Sequence, residues 1–300
     1  MYYYSLNNYL KKTFGQKLYK IALNGGFTCP TRDGTKGTGG CIFCAGGSGE
    51  FTFEEKDILV QAQKAKEKIR AKVTENMGYI AYFQIYTGTY APAEYLRELY
   101  EKAISIPNVK VLSIATRPDC LSEEILNLLG EFRKKIPLWV ELGFQTKNEK
   151  TARFIRRGYT NEIFEKAVRE LSKRNIEVIT HLIIGLPGET PDDVVCAANY
   201  AYLLGCKGVK LQLLHILEGT DLAYLYNQNK VKVMTKEEYI NALCYIIERI
   251  PPDMVLHRIT GDGAKRILIA PKWSGNKKDV LNSINKAFAQ RDITQGRYFK

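Results

Sequence analysis

The chain has 300 residues, enough for one large domain or two modest ones, and its 45% hydrophobic and 25% charged residues are typical of a globular protein. Seven cysteines, an odd number, exclude complete disulfide pairing within one chain, and no apolar run of about 18 residues predicts a membrane span. The N-terminus carries no apolar run of signal-peptide type, so the sequence predicts a cytoplasmic protein.

The net charge of +12 is concentrated at the two ends of the chain. Residues 1–40 contribute +5 and residues 251–300 contribute +6, which leaves +1 for everything between them. A nearly neutral body with basic ends is typical of a protein that binds an anionic macromolecule, and a solubilising surface is the alternative.

Apolar runs alternate with amphipathic segments along most of the chain. Strands are predicted at residues 19–23, 79–86, 109–115, 138–144, 176–184, 209–214 and 254–259. Several runs are continuously apolar, which indicates strands buried on both faces and therefore parallel. Helices are predicted at residues 54–74, 93–104, 122–135, 161–174 and 191–204.

This alternation predicts an α/β fold in which helices cover a parallel sheet. Six strand–helix units between residues 19 and 214 indicate a partial (β/α)6 TIM-like barrel, and a doubly wound open sheet is the alternative. We expect three segments: a basic, aromatic N-terminal extension (1–16), the barrel (17–229) and a C-terminal α/β extension (230–300). The last would contain a helix at 236–250, a short strand and a basic tail with Trp273.

Three cysteines follow the first predicted strand in the spacing C-x11-C-x2-C: Cys29, Cys41 and Cys44. Glycines in the loop between them permit positive φ and close backbone approach. Three thiolates are too few for a structural zinc site, which takes four ligands, whereas an iron–sulfur cube held by three keeps one iron open. A zinc site completed by Cys120, His181 or a distant residue is the alternative.

The remaining cysteines lie on apolar helix faces or near strand ends. We expect them to be small buried side chains without chemistry: Cys120, Cys196, Cys206 and Cys244.

The loop sequence C-P-T-R-D-G-T-K-G-T-G-G-C-I-F-C after the first strand resembles the radical S-adenosylmethionine (SAM) superfamily. Its long first gap resembles a narrower bacterial group related to the catalytic subunit of elongator. The resemblance extends over about residues 3–269. It implies a [4Fe–4S] cluster on the three cysteines, bound SAM, and an electron donor such as flavodoxin or ferredoxin. SAM cleavage would give a 5′-deoxyadenosyl radical that removes a hydrogen atom from substrate.

The second and third predicted strands end in groups that would face this cofactor. By analogy with the glycine-rich segment of the superfamily, Tyr86, Thr87 and Gly88 are candidates for binding the methionine amino group. Thr116 and Arg117 would point into the barrel mouth. Arg117 would hold a substrate carboxylate or phosphate, or pair with Glu141.

The later strands resemble further SAM-binding segments of the superfamily. Gln145 matches a glutamine that contacts the cofactor, and Arg157, with Arg156 as the fallback, matches an arginine that binds its carboxylate. The strand T-H-L-I-I-G-L-P-G resembles the adenine-side strand. The resemblance implies that four residues of this segment contact SAM: His181, Ile183, Gly185 and Leu186. Phe43, from the cysteine loop, would pack near the adenine. His215, after the sixth strand, is a candidate proton donor or substrate contact.

The narrower group is associated with modification of the tRNA wobble uridine. The resemblance implies tRNA as partner and conversion of carboxymethylaminomethyluridine to aminomethyluridine, with Arg117 or a tail lysine meeting the side-chain carboxylate. The tyrosines near the N-terminus and Trp273 would stack on RNA bases. Two alternatives stay open: a radical enzyme acting on a small metabolite or a peptide, and a non-enzymatic RNA-binding protein with zinc.

Overall fold

A computed structural model of the chain describes residues 2–46, 52, 53, 55–72, 77–261 and 263–300. Within these ranges, no helix combines the length and the apolar character needed to cross a membrane. The described residues form nine strands: β1 (Leu18–Leu23), β2 (Gly78–Phe83), β3 (Val109–Thr116), β4 (Leu138–Gln145), β5 (Glu177–Ile184), β6 (Gly208–Leu213), β7 (Ile216–Leu217), β8 (Val255–Arg258) and β9 (Leu268–Ala270).

Helices follow most of these strands. In the described ranges they are α1 (Leu6–Phe14), α2 (Ile58–Ile69), α3 (Ala93–Ser105), α4 (Glu123–Lys135), α5 (Glu149–Phe154), α6 (Asn161–Lys173), α7 (Pro191–Leu204), α8 (Asp221–Asn227), α9 (Lys236–Ile247) and α10 (Lys277–Gln290). Ser122 begins α4 by accepting a hydrogen bond from the backbone N–H of Ile125, as its N-cap position predicts.

Seven strands form one parallel sheet in the order β1-β2-β3-β4-β5-β6-β8, and β7 pairs with β9 in a small antiparallel sheet. The predicted parallel α/β barrel is confirmed. The strand predicted near the C-terminus is β8, which extends the barrel sheet beyond the six predicted units. Predicted strand 79–86 ends earlier, at Phe83, because the chain turns and Tyr86 takes a positive φ of 54°.

The predicted helix 54–74 forms as α2, followed by a short 3-10 turn, Arg70–Lys72. Positions 54, 73 and 74 of that prediction lie outside the described residues. Four further helices were not predicted, namely α1, α5, α8 and α10.

The sheet curls, because side chains from strands far apart in its order meet inside. Lys210 Nζ of β6 lies 2.9 Å from the hydroxyl of Tyr82 on β2. The ring of Trp139 on β4 lies 5.2 Å from that of His257 on β8. The concave face is therefore the interior of a partial barrel, and the helices cover the convex face over a continuous apolar core.

Helix α1 closes the barrel at the N-terminal ends of the strands. Leu10 is buried against an apolar layer that includes Leu18 and Trp139. Tyr9 donates a hydrogen bond of 3.0 Å to the carboxylate of Glu177, the first residue of β5. The segment expected as an extension therefore forms the floor of the barrel.

The terminal aromatic residues pack within the protein. Tyr2 and Tyr3 contact the ring of Phe288 on α10 at 5.9 and 6.1 Å between centroids. Trp273 packs on Tyr239 and donates its indole N–H to the carbonyl of Met234. These rings are partly buried by their protein contacts, and their stacking on RNA bases stays a prediction.

Candidate active site

A cavity of about 340 Å³ opens at the C-terminal ends of the barrel strands. Cys29, Cys41 and Cys44 all line it, together with residues from β2 to β6 and from β8. Parallel α/β barrels carry their chemistry at this end, because the loops that follow the strands converge there. The three cysteines predicted as cluster ligands therefore share one site with the strand ends predicted to meet the cofactor.

Backbone hydrogen bonds hold the cysteine loop in a compact form. The carbonyl of Cys29 accepts from the N–H groups of Arg32 and Asp33, at 2.8 and 3.2 Å, and Cys44 N–H donates to the carbonyl of Cys41 at 3.0 Å. The guanidinium of Arg32 donates to the carbonyl of Cys44. These bonds bring both ends of the long first gap to the same side of the cavity.

The cysteine set fits an iron–sulfur cube better than a single metal ion. Burial raises the pKa of the Cys41 thiol to about 12, and the neighbouring Cys44 and Cys29 act in the same direction while Arg117 opposes them. Ionisation of Cys41 therefore needs a cationic group beside it, which the irons of a cluster would provide.

The zinc alternative finds no support in the same region. Among the described residues, no three His, Cys, Asp or Glu side chains are grouped so that they could hold one metal ion. The thiolates of a cube bind three different irons, so they stand further apart than the ligands of one ion. Cys120 and His181 do not complete a zinc site with the loop cysteines.

Arg117 lies beside the cysteine loop and is already paired. Its Nε and Nη2 donate to the two carboxylate oxygens of Asp119, both at 2.9 Å, and its guanidinium lies 5.0 Å from the centre of the Tyr159 ring. Lys36 of the cysteine loop contacts the same carboxylate at 2.6 Å. The alternative pairing of Arg117 with Glu141 is wrong, because Asp119, two residues away, satisfies the fork.

Most of the predicted cofactor contacts do line the cavity. These are Phe43, Tyr86, Thr87, Thr116, Gln145, Arg157, His181 and Ile183. Gly88 does not line it. Its N–H donates to the carbonyl of Ala115, its own carbonyl accepts from Tyr100, and a Cβ there would lie 2.8 Å from the Ala115 oxygen. Gly88 therefore packs the loop after β2 against β3.

Gly185 and Leu186 also lie behind the cavity wall. A Cβ on Gly185, whose φ is +89°, would lie 3.2 Å from the sulfur of Met234. Leu186 is buried in an apolar cluster against which Phe43 packs. Neither residue lines the cavity, and their contact with the adenine stays a prediction.

Arg157 is fully buried and its hydrogen-bonding capacity is used. Its five N–H groups point at acceptors 2.7–3.3 Å away, which are the carbonyls of Tyr159, Phe144 and Thr146, Glu149 Oε1 and Asn161 Oδ1. A cofactor carboxylate would have to displace one of these partners. Arg156, the fallback residue, is half exposed and pairs with Asp221 on α8.

His181 stands inside the barrel as a neutral ring. Burial and the nearby Lys210 lower its pKa to about 4, although the bond to Glu141 opposes this. Nε2 lies 2.8 Å from Glu141 Oε2, and Nδ1 lies 3.3 Å from the side-chain nitrogen of Gln212. A carboxylate can only accept and an amide nitrogen can only donate, so Nε2 carries the proton.

A layer of charged side chains crosses the barrel between the cysteines and the apolar floor. The ammonium of Lys210 contacts Glu141 Oε2, and Lys20 Nζ lies 3.5 Å from Glu141 Oε1. The hydroxyl of Tyr82 donates to Glu141 at 2.9 Å. Burial alone would raise the pKa of Glu141, but Lys210, Lys20 and His181 hold it well below its usual range. The carboxylate is therefore ionised.

Arg258, the last residue of β8, joins this layer opposite Lys210 in the strand register and lines the cavity. Sequence reasoning missed Lys20, Lys210 and Arg258 as site residues and named Glu141 only as a partner for Arg117. The available signal was a charge inside an otherwise apolar strand, as in V-K-L-Q-L-L and L-W-V-E-L-G. Such a charge has to face a polar interior.

His215 follows β6 and lines the cavity on the side of the C-terminal region. Its Nε2 lies 3.1 Å from Ser274 Oγ. A Cβ on Gly261 or Gly263 would lie 2.8 or 3.1 Å from the imidazole, so these glycines let the loop after β8 close over the ring. Its role as a proton donor or substrate contact stays a prediction.

Three of the four remaining cysteines are buried, as predicted, namely Cys120, Cys206 and Cys244. Cys196 is exposed on α7, which corrects the expectation for that residue. Its position on the helix turns the sulfur toward Lys147, whose ammonium lies 3.7 Å away.

The fold and the cysteine site define a class of enzyme. Residues 34–201 match the family model of the radical SAM superfamily, and residues 206–290 match the radical SAM C-terminal domain. The chain belongs to the radical SAM superfamily, whose enzymes use a [4Fe–4S] cluster and SAM. Cys29, Cys41 and Cys44 are the residues that fit the cluster.

Individual relatives show which members of the superfamily the chain is similar to. The uncharacterized protein YtqA of Bacillus subtilis is 42% identical over 99% of this chain and 93% of its own length. The Elp3 structure from the archaeon Methanocaldococcus infernus, with N-terminal residues 1–46 deleted, superposes with a TM-score of 0.71 at 18% identity, covering 93% of this chain and 64% of that one. The tRNA uridine(34) acetyltransferase of Methanocaldococcus jannaschii is 28% identical over 58% of this chain and 31% of its own length.

Proposed function

We propose that this enzyme modifies the C5 side chain of the wobble uridine of tRNA, converting carboxymethylaminomethyluridine to aminomethyluridine. The observation that carries the proposal is the similarity to a protein named for its action on uridine 34 of tRNA. The Elp3-like fold of the barrel agrees with it. When bound, the cluster and SAM would supply a 5′-deoxyadenosyl radical that takes a hydrogen atom from the methylene next to the substrate carboxylate. Return of one electron to the cluster would leave an imine, which water would hydrolyse to the aminomethyl nucleoside and glyoxylate.

The residues of the chain divide this work between them. The three cysteines hold the cluster, and the cavity-lining residues Thr116 and Gln145, at the ends of β3 and β4, are the proposed contacts for SAM. Gln145 has a positive φ of 69° where the pairing of β4 with β5 shifts its register. Such a conformation costs on the order of 1 kcal/mol and is frequent where a side chain must be aimed at a ligand.

The position of the cavity suits a nucleotide whose base is unstacked from its neighbours in the RNA. The site lies within a barrel end surrounded by loops, which a base inside a helix would not reach. Basic residues stand close to the opening. Arg32 and Lys36 belong to the cysteine loop, and Lys265 and Arg266 belong to the exposed turn after β8. We infer that they contact the phosphates of the tRNA, and that the enzyme works in the cytoplasm with flavodoxin or ferredoxin as electron donor.

The test is nucleoside analysis of tRNA after anaerobic incubation with reconstituted enzyme, SAM and reductant. We expect the carboxymethylaminomethyl nucleoside to fall, the aminomethyl nucleoside to rise, and 5′-deoxyadenosine to be released. Variants in which one of Cys29, Cys41 or Cys44 is alanine should lose the visible absorbance of the cluster and both products. Cys196→Ala, with its exposed thiol, is the matched control and should keep them.

Two results would contradict the proposal in different ways. Release of 5′-deoxyadenosine without change in any tRNA nucleoside would remove the tRNA substrate and leave the radical enzyme. Reconstituted protein that holds zinc and no iron would remove the radical chemistry as well.

A further inference from the structure

The charged layer inside the barrel contains more positive than negative groups. Lys20, Lys210 and Arg258 face a single carboxylate, Glu141, and among the described residues that line the cavity Glu141 is the sole Asp or Glu. Lys210 and Glu141 have 1% and 0% of their side-chain surface exposed. His181 is neutral, so it adds no further positive charge. Burial lowers the pKa of Lys210 well below its usual value while Glu141 opposes this. With Lys210 ionised by its contact with Glu141, the layer carries an excess of two positive charges in a place where uncompensated charge is expensive.

Of the four arginines that line the cavity, three already have partners within the protein. Arg117 is neutralised by Asp119, Arg157 uses its five N–H groups within the protein, and Arg32 donates to the Cys44 carbonyl. Arg258 differs. In the described part of the chain no hydrogen bond or ion pair reaches its guanidinium, although it lines the cavity beside Lys210 and Gln212.

We propose that Arg258, together with Lys210 and Gln212, binds the carboxylate of the substrate side chain on the floor of the cavity. A guanidinium fork matches a carboxylate with two parallel hydrogen bonds, which a point charge cannot reproduce. The inference rests on the proposed function, whose substrate side chain ends in a carboxylate that the product lacks. It replaces Arg117 as the carboxylate contact, since Asp119 already occupies that arginine.

The arrangement also orders the substrate within the cavity. Arg258 and Lys210 lie in the middle of the barrel, whereas the cysteine loop lies beyond the C-terminal ends of the strands. A side chain anchored by its carboxylate at Arg258 extends from there toward the cysteines. The methylene next to the carboxylate is then held inside the barrel, away from bulk water.

The same chemistry has a second source, because the methionine part of SAM also carries a carboxylate. The two sources are separated by measuring the two ligands independently. Equilibrium dialysis gives the affinity for SAM. Fluorescence anisotropy gives the affinities for tRNA that carries carboxymethylaminomethyluridine and for the same tRNA with aminomethyluridine, which lacks the carboxylate.

The experiment compares wild-type enzyme with Arg258→Gln and Arg258→Lys, all reconstituted with cluster. Wild-type enzyme should bind the carboxylated tRNA about tenfold more tightly than the aminomethyl form, the ratio expected for one charge-assisted pair. Arg258→Gln should abolish this preference and leave SAM affinity within about twofold, and Arg258→Lys should restore part of it. Arg169→Gln, which removes the same charge from the outer face of α6, is the matched control and should behave as wild type.

Each other result has a distinct meaning. If Arg258→Gln keeps both the preference and the conversion, the proposal is overturned and the proposed function stands. If it loses SAM affinity while the preference persists, the guanidinium serves the cofactor and the proposal is again overturned. If wild-type enzyme neither distinguishes the tRNAs nor changes them, the proposed function fails and this inference fails with it. Equal iron content and melting temperature in Arg258→Lys and wild type would show that the fold is retained.

Discussion

At the scale of single residues, the buried charges inside the barrel matter most. Glu141 has no exposed surface and accepts from Tyr82, Ser113, His181 and Lys210. A buried carboxylate needs such partners, because the loss of hydration costs several kcal/mol. These contacts join β2, β3, β5 and β6 to β4, so the layer fixes how the strands curl as well as what the cavity binds.

Removal of the Lys210 ammonium should therefore destabilise the protein strongly. We expect Lys210→Met to lower the free energy of unfolding by about 3 kcal/mol, because Glu141 then loses its nearest cation while it stays buried. Urea denaturation followed by circular dichroism measures the change. The double variant Lys210→Met with Glu141→Leu should recover part of the loss, since no buried carboxylate is then left without its nearest cation, although Lys20, whose side chain is 26% exposed, loses its partner.

The control for this prediction is Lys173→Met on the surface of α6, whose side chain is 69% exposed beside Glu170. Its unfolding curve should overlay that of wild type. A loss as small in Lys210→Met as in Lys173→Met would show that the interior pair contributes nothing to stability.

The protonation of His181 gives a second prediction at this scale. Because burial and Lys210 lower its pKa to about 4, the ring should stay neutral from pH 8 to about pH 5, with its proton on Nε2. Its folded pKa lies below the usual value of about 6.5, so the unfolded chain takes up this proton first. The contribution of His181 to stability is therefore complete above pH 6.5 and declines as the pH falls toward 4.

Long-range ¹H–¹⁵N spectra of labelled enzyme measure this directly, with His181→Gln identifying the signal. An imidazole that titrates with a midpoint near 6.5 would contradict the assignment. It would also mean that a second cation lies beside Lys210 below about pH 6.5, which the geometry of the layer disfavours.

At the scale of elements, the strand pattern was readable and the closing helices were not. Runs such as Y-I-A-Y-F and V-I-T-H-L-I-I predicted strands to within a few residues, because a strand buried on both faces leaves a continuous apolar signature. Helices α1 and α10 were missed because Asn, Lys and Gln outnumber their buried positions, and the helical spacing of Leu10 or Phe288 carries little weight in such polar surroundings.

Part of the candidate site was predictable from the sequence and part was not. The cysteines and most cavity-lining residues follow from motifs that lie together in sequence. The sequence predicted Glu141 or a substrate anion as the partner of Arg117 and did not identify Asp119, although it lies only two residues away. The layer of Lys20, Glu141, Lys210 and Arg258 comes from four strands, and only the curl of the sheet brings these charges together.

Helix α1 should contribute to stability as the floor of the barrel. Leu10→Ala removes a buried side chain from the apolar layer that contains Leu18 and Trp139, and we expect it to lower the free energy of unfolding by about 3 kcal/mol. Chemical denaturation monitors the loss. Asn7→Ala, at an exposed position of the same helix, is the matched control and should change stability little. Equal effects would show that the helix does not seal the barrel.

At the scale of the whole molecule, the basic ends of the sequence do not form one basic surface. Lys11 and Lys12 lie on α1, at the N-terminal ends of the strands, whereas Arg32 and Lys36 lie in the cysteine loop at the opposite end. Lys20 faces the barrel interior. The two terminal segments, 1–40 and 251–300, carry similar net positive charge. In the structure, however, the basic residues are divided between the cavity mouth and the opposite end of the barrel.

This division predicts which charges the tRNA meets. Charge reversal of Lys265 and Arg266, both exposed near the mouth, should weaken tRNA binding at least tenfold and reduce the salt dependence by about two ion equivalents. The same reversal of Lys11 and Lys12 changes the net charge equally and should have little effect. Fluorescence anisotropy at several salt concentrations measures both, and equal losses would indicate attraction by total charge alone.

The two ends of the chain meet far from the cavity mouth. Gln295 donates its backbone N–H to the carbonyl of Tyr2 at 2.9 Å, and its side chain accepts from the N–H of Tyr4 and donates to the carbonyls of Pro251 and Met254, just before β8. A dye, an affinity handle or a surface tether attached at either end would therefore leave the entrance clear. A short peptide joining the ends, with new ends opened in an exposed loop, should give a permuted chain that retains its catalytic chamber.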